Sequence, residues 1–142
     1  MTFRFSRSRL VGIAAVIIGS LAACQSEDAA ERVLSGTVTY RERMALPSDA
    51  VVEVSLVDVT QADAGMPVIA ATTVRPDGRQ VPLPFELQYD PGNIEPDRSY
   101  AVRASIRSDS RLLFTTHQAV PVLTQGRPTQ ADLVLVQAPD NR

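Results

Sequence analysis

The chain has 142 residues, 44 % of them apolar and 21 % charged, which fits one folded domain plus a short extra segment. There is no tryptophan and few aromatics, so a core must rest on Val, Leu, Ile and Ala, and all 14 basic residues are arginine. Arg4, Arg7 and Arg9 precede the first acid, Glu27; beyond residue 23, 11 scattered arginines face 16 acids, which excludes a general binder of nucleic acid or anionic lipid.

Residues 1–9 form a positive start, and Leu10 to Ala23 is an apolar stretch of 14 residues. A spanning helix needs roughly 20 apolar residues, so this run is too short to cross and reads as a secretory signal peptide, residues 1–23. Its ending, Leu21, Ala22, Ala23 and Cys24, resembles the lipobox of bacterial lipoproteins. The resemblance implies cleavage between Ala23 and Cys24, a diacylglycerol thioether on Cys24 and a further acyl chain, such as palmitate, on the new amino terminus. One acyl chain gives only reversible membrane binding, whereas two or three hold a protein in place. The alternative is a soluble secreted protein with a stray cysteine after its signal. Cys24 is the sole cysteine, so no intramolecular disulfide forms. Gln25, where an Asp favours retention at the inner membrane in enterobacteria-like systems, points to the outer membrane, with the domain facing the periplasm. Residues 24–32 read as the lipidated terminus and a flexible tether, with a reach of roughly 26 Å at about 3.3 Å per residue.

From Val33 the pattern changes to short β-prone runs separated by turn residues. Strands are expected at 33–40, 51–59, 68–74, 81–89, 100–108, 112–116, 119–123 and 131–137. Val52, Val54 and Leu56 share one face of the second run; Tyr100, Val102, Ala104 and Ile106 share one face of the fifth. Turn chemistry stands between them: Pro76-Asp77-Gly78, Ser108 to Arg111, and Thr124 to Thr129. Sustained helical periodicity is absent. The expected fold is all-β, a single β-sandwich of seven to eight short, mostly antiparallel strands over residues 33–138, with a tail at 139–142.

Pro82 and Pro84 are two apart, so in an extended strand both withhold an N–H from the same side. That predicts an edge strand, with the prolines guarding it against stray pairing; a partner-docking edge at Pro82, Pro84 and Phe85 is the functional alternative. In the loop 90–99, Ile94 is expected to plug the end of the sandwich, and Tyr100 to bury its ring with its hydroxyl at the rim. Asp58 reads as a solvated strand residue.

The inventory for chemistry is thin. His117 is the only histidine, no serine lies in a nucleophile elbow, and Cys24 is consumed by acylation. One histidine and no free cysteine leave no usual zinc set, and no loop has calcium-binding spacing. No metal, no cofactor beyond the lipid on Cys24, and no catalytic role are expected. Glu27, Asp28 and Glu31 form an acidic cluster that reads as solvating tether.

The runs "LSGTVTYRERMALPSDAVVEVSLVDV", "VPLPFELQYDP", "RSYAVRASI", "LLFTT" and "DLVLV" resemble the YbaY-type lipoprotein family, related to the YscW type III secretion lipoprotein chaperones, or pilotins. The resemblance implies a lipidated β-sandwich and, for the pilotin branch, capture of a segment of an outer-membrane secretin. The YbaY branch, to which the sequence is nearer, carries no established molecular activity. Only Cys24 transfers as a functional position. The function expected is a non-enzymatic envelope assembly or maintenance factor with a protein partner; the alternative is a module that binds a small molecule or glycan.

Overall fold

A computed structural model describes residues 30–139. The signal peptide, Cys24, most of the tether and the last three residues of the tail lie outside the described residues. Eight strands follow in order: β1 (Arg32–Tyr40), β2 (Val51–Asp58), β3 (Val68–Val74), β4 (Leu83–Tyr89), β5 (Tyr100–Ser108), β6 (Arg111–Thr116), β7 (Val120–Val122) and β8 (Gln130–Gln137). Two single 3-10 turns, Ala62–Ala64 and Pro91–Asn93, complete the elements among the described residues. The all-β class and the strand count agree with the sequence reading, and β3 and β5 have the expected bounds.

The strands form one sheet in the order β3-β2-β5-β6-β8-β1-β4, with β7 added beside β5. The two layers of the sandwich are halves of this one sheet, which curls until β3 lies against β4 without a ladder between them. The result is a barrel with one open seam. All pairings are antiparallel except β1 with β8, which run parallel from Ser35 opposite Gln130 to Tyr40 opposite Leu135.

Alternation supplies the core. Leu34 and Val38 of β1, Val52, Val54 and Leu56 of β2, and Leu83, Phe85 and Leu87 of β4 all point inward. Val102 and Ile106 of β5, Phe114 of β6, and Leu133 and Leu135 of β8 complete that surface. Tyr40 stacks flat on Phe114 at 4.1 Å between ring centroids, and its hydroxyl donates to the Met44 carbonyl at 2.7 Å. Burial is the chief reason its proton is held more tightly than a free tyrosine's, with Glu42 adding to it.

The two ends of the barrel close differently. At one, Leu46 is buried, and its backbone is held by the Gln80 amide, which accepts from its N–H at 2.7 Å. At the other, where β1 begins, Tyr100 is buried as expected and Ile94 packs on the core from the loop above. The Tyr100 hydroxyl accepts from the Glu95 N–H at 3.0 Å and donates to the Asn93 carbonyl at 3.4 Å.

Turns match their chemistry. Asp77 and Gly78 have φ of 52° and 84°, and Asp109 and Ser110 have φ of 46° and 65° in the two-residue turn joining β5 to β6. Asp49 clasps that turn, accepting from the Ser108 hydroxyl at 2.8 Å and the Asp109 N–H at 2.9 Å. Those bonds, led by Ser108, hold its carboxyl below the usual range.

Gly36 stands at a point of the sheet with no room for a side chain. It lies opposite Phe85 of β4 and Ala131 of β8, and an added Cβ would strike the Ala131 backbone and come within 2.9 Å of the Phe85 ring. Phe85 covers the space that a side chain would otherwise take. Gly36→Ala is therefore expected to destabilise the domain by about 1–3 kcal/mol, as overpacking does. Thermal denaturation should register this as a melting temperature lower by at least several degrees, whereas Gly78→Ala is strained by its positive φ alone and meets open space.

Candidate functional site

Three surface regions gather polar or reactive side chains: the mouth where β1 begins, the outer wall of β2, β5 and β6, and the seam between β3 and β4.

At the mouth, β2 ends on Asp58, which is buried, not solvated as its sequence setting suggested. The reason is tertiary. The loop 90–99 folds over the end of β2 and brings Arg98 to within 2.8 Å of Asp58 Oδ2, while the Thr60 N–H donates to Oδ1 at 2.8 Å. The network continues outward. Arg98 also meets Glu95 at 3.1 Å, the Ser99 N–H donates to Thr60 Oγ1 at 3.0 Å, and the Thr124 hydroxyl donates to the Arg98 carbonyl at 2.7 Å. Hydrogen bonds from Thr60, then from Arg98, lower the Asp58 carboxyl from 3.8 to about 2. Both carboxylate oxygens of Asp58 are satisfied internally, so the cluster ties the two loops together, while Arg98 and Glu95 remain about half exposed at its rim.

On the wall, the outward residues of β5 are Arg103, Ser105 and Arg107. Cross-strand register sets Ser55 beside Arg103, Glu53 beside Ser105, and Thr115 on the other side of Ser105. A register shift between Ile106 and Arg107 bends the β5–β6 pair. Where β6 departs, the Thr116 hydroxyl takes its place, accepting from the Ala104 N–H at 2.7 Å and donating to the Ala104 carbonyl at 3.0 Å. The bend leaves an open groove of about 280 Å³ lined by Glu53, Ser55, Arg103, Ser105, Arg107 and Thr115 among others. Arg107 reaches Glu53 at 3.6 Å, and both are about half exposed, so the pair is weak. Such a lining offers guanidinium and hydroxyl donors to a polar ligand or a polypeptide.

At the seam, β4 is the terminal strand and pairs with β1 alone, as expected of an edge, but it begins at Leu83, so Pro82 lies just before it and only Pro84 stands within it. Pro84 sits opposite Thr37 and has no N–H to give, so the ladder to β1 falls to Leu83, Phe85 and Leu87. The free edge faces β3, not open solvent. Pro82 and Pro84 are exposed, but Phe85 is only 3 % exposed and belongs to the core. Alternation, with Leu83, Phe85, Leu87 and Tyr89 inward, could have separated Phe85 from the two prolines in advance.

The remaining sequence candidates do not converge. His117 lies exposed in the bend between β6 and β7. Among the described residues no group of His, Cys, Asp and Glu is placed to hold a metal ion, and no helix is long and apolar enough to cross a membrane. Leu21, Ala22, Ala23 and Cys24 lie outside the described residues. The wall groove is the region that sequence reading missed. Alternation marked Arg103 and Arg107 as outward, but the bend that hollows the sheet beneath them had no local signal.

The family described as type III secretion system lipoprotein chaperone (YscW) matches residues 29–135, and the chain belongs to it. The chain is also 39 % identical over 117 residues to a protein of Escherichia coli (strain K12) named uncharacterized lipoprotein YbaY. That match covers 82 % of this chain and 61 % of the relative, so the chain spans about three fifths of that protein's length. Among solved structures, it is similar to an alternative pilotin from the type II secretion system of Vibrio cholerae. There the TM-score is 0.74 at 39 % identity, covering 77 % of this chain and 98 % of that one. The all-β fold and the chaperone family are thus established together.

The Asp58 cluster makes the domain acid-sensitive in a defined direction. A carboxyl whose folded pKa is below its unfolded value contributes stability that is complete above the unfolded value, near 4, and is lost as pH falls through about 2. Discounted because Arg98 stands half in solvent, the contribution is roughly 1–2 kcal/mol. Asp58→Asn should lower the melting temperature at pH 7 and flatten its fall between pH 4 and pH 2, which melting curves across that range would register.

Proposed function

We propose that this member of the lipoprotein chaperone family is a lipid-anchored, non-enzymatic envelope protein that holds a polypeptide segment of an outer-membrane assembly and escorts it to its membrane. The observation that carries the reading is the family match over residues 29–135, joined to a likeness in fold and sequence to a pilotin. A secretin-like outer-membrane component is the partner this favours. Escort requires exposed surface and a fixed address, not a reacting centre. The wall groove and the exposed outer face of the barrel provide the first. The lipobox ending at Cys24 would provide the second, with diacylglycerol on its sulfur, an acyl chain on its nitrogen and no other cofactor.

The outer membrane is the address we favour, with the barrel on the periplasmic side, because Gln25 follows Cys24. A second reading, a module for a small molecule or glycan, draws support from the guanidinium and hydroxyl lining of the groove. The two readings separate in a thermal-shift screen, since a specific ligand raises the melting temperature with its saturation.

Cys24→Ser is expected to abolish palmitate labelling and to move the protein from the membrane to the soluble fraction; retention of both would refute the anchor. Crosslinking in intact cells, followed by mass spectrometry, should recover an outer-membrane protein with the anchored chain. Recovery of no envelope protein above background counts against escort. His117→Ala should leave partner recovery unchanged.

A further inference from the structure

We infer that the β1-entry mouth of the barrel is a membrane-contact surface, seated on a zwitterionic lipid surface by Val33, Met66 and Val68. The inference rests on the proposed anchor at Cys24 and adds an orientation to it.

The observation is a co-location. Val33, Met66 and Val68 are 47 %, 42 % and 55 % exposed. Single exposed aliphatics are normal on a soluble domain and by themselves mean nothing. These three, however, share one end. Val33 is the second residue of β1, while Met66 and Val68 flank the start of β3. Strand directions bring both starts to the mouth that also holds the end of β4, since Arg32 lies opposite Tyr89 and β3 lies against β4. The other large exposed aliphatics lie elsewhere: Val134 and Val136 on the β8 wall, Met44 beyond the far end of β1.

The same mouth is where the tether must enter, because Arg32 opens β1. Arg32 lies eight residue steps beyond Cys24, a reach of at most roughly 26 Å. A domain held that close by lipid presents this end to the headgroups far more often than its opposite end, so modest apolar contact suffices to hold it there. Charge selects the lipid. Glu31, Asp63, Asp90, Glu95 and Asp97 stand around the mouth against Arg32, Arg98 and Arg127, so an anionic surface is repelled on balance and a neutral headgroup layer is accepted. The Asp58 cluster stiffens the loops behind Met66, since the Asp58 N–H donates to the Pro67 carbonyl at 3.0 Å.

Seated this way, the wall groove faces sideways and the Leu46 end points away from the bilayer, leaving both clear of lipid.

The absence of tryptophan makes the test direct. Single tryptophans are placed at Val33→Trp, Val68→Trp and, as a wall control, Val134→Trp. The full-length lipoprotein carrying each is reconstituted into phosphatidylcholine vesicles with brominated acyl chains. In parallel, Cys24 of the signal-cleaved chain is coupled through its thiol to a maleimide lipid, so the geometry is tested whether or not cells acylate it. Tryptophans at 33 and 68 should be quenched several-fold more than that at 134 and shifted to the blue. Adding Met66→Asp with Val68→Asp to the Val33→Trp chain should remove its quenching with little change in melting temperature. Equal quenching at all three sites, in either preparation, overturns the inference. Loss of palmitate labelling in cells with quenching intact in the coupled chain refutes the natural anchor while the contact surface stands.

Discussion

One strand holds this molecule together. β1 is hydrogen-bonded to β4 on one side and to β8 on the other, and the second pairing is the parallel one in an otherwise antiparallel sheet. A parallel neighbour cannot be reached by a tight turn, so β1 and β8 meet from opposite ends of the chain, and the barrel closes on itself only through them. Within that junction one position of β1 has no room for a side chain: a Cβ at Gly36 would strike the Ala131 backbone, and the Phe85 ring lies over the space.

The seam follows from the same arrangement. Curling brings β3 against β4, where a ladder would complete the barrel. With Leu83, Phe85 and Leu87 committed to β1, the residues facing the seam include Pro84, which cannot donate. A continuous ladder is therefore denied, and the barrel stays cracked along one line. The one proline within β4, Pro84, interrupts the edge toward strangers and toward β3 alike.

Stability and surface are divided between regions. The mouth concentrates polar groups around Asp58, Arg98 and Thr60, which fix the loops 59–67 and 90–99 to each other. The wall of β2, β5 and β6 is polar without being saturated, and its concavity comes from one register shift and one hydroxyl standing in for a strand.

The strands were legible because period-two alternation and turn residues are local properties. Tyr100, Val102, Ala104 and Ile106 announced an inner face, and Asp77-Gly78 announced a turn, without reference to anything distant. The edge character of β4 was legible for the same reason, since a missing N–H belongs to the residue itself. The lipobox resemblance at Leu21 to Cys24 was legible for the same reason, since it is a local pattern of residue types. What tertiary structure alone decided is whatever depends on which strands become neighbours. Asp58 became a buried ion-pair partner because a loop forty residues away folds over it, and Phe85 became the cover for Gly36 because β4 pairs with β1. Arg103 came to line a groove because β6 turns away beside it. Each of those outcomes is a contact between segments far apart in the chain, and no local pattern encodes the pairing that produces it.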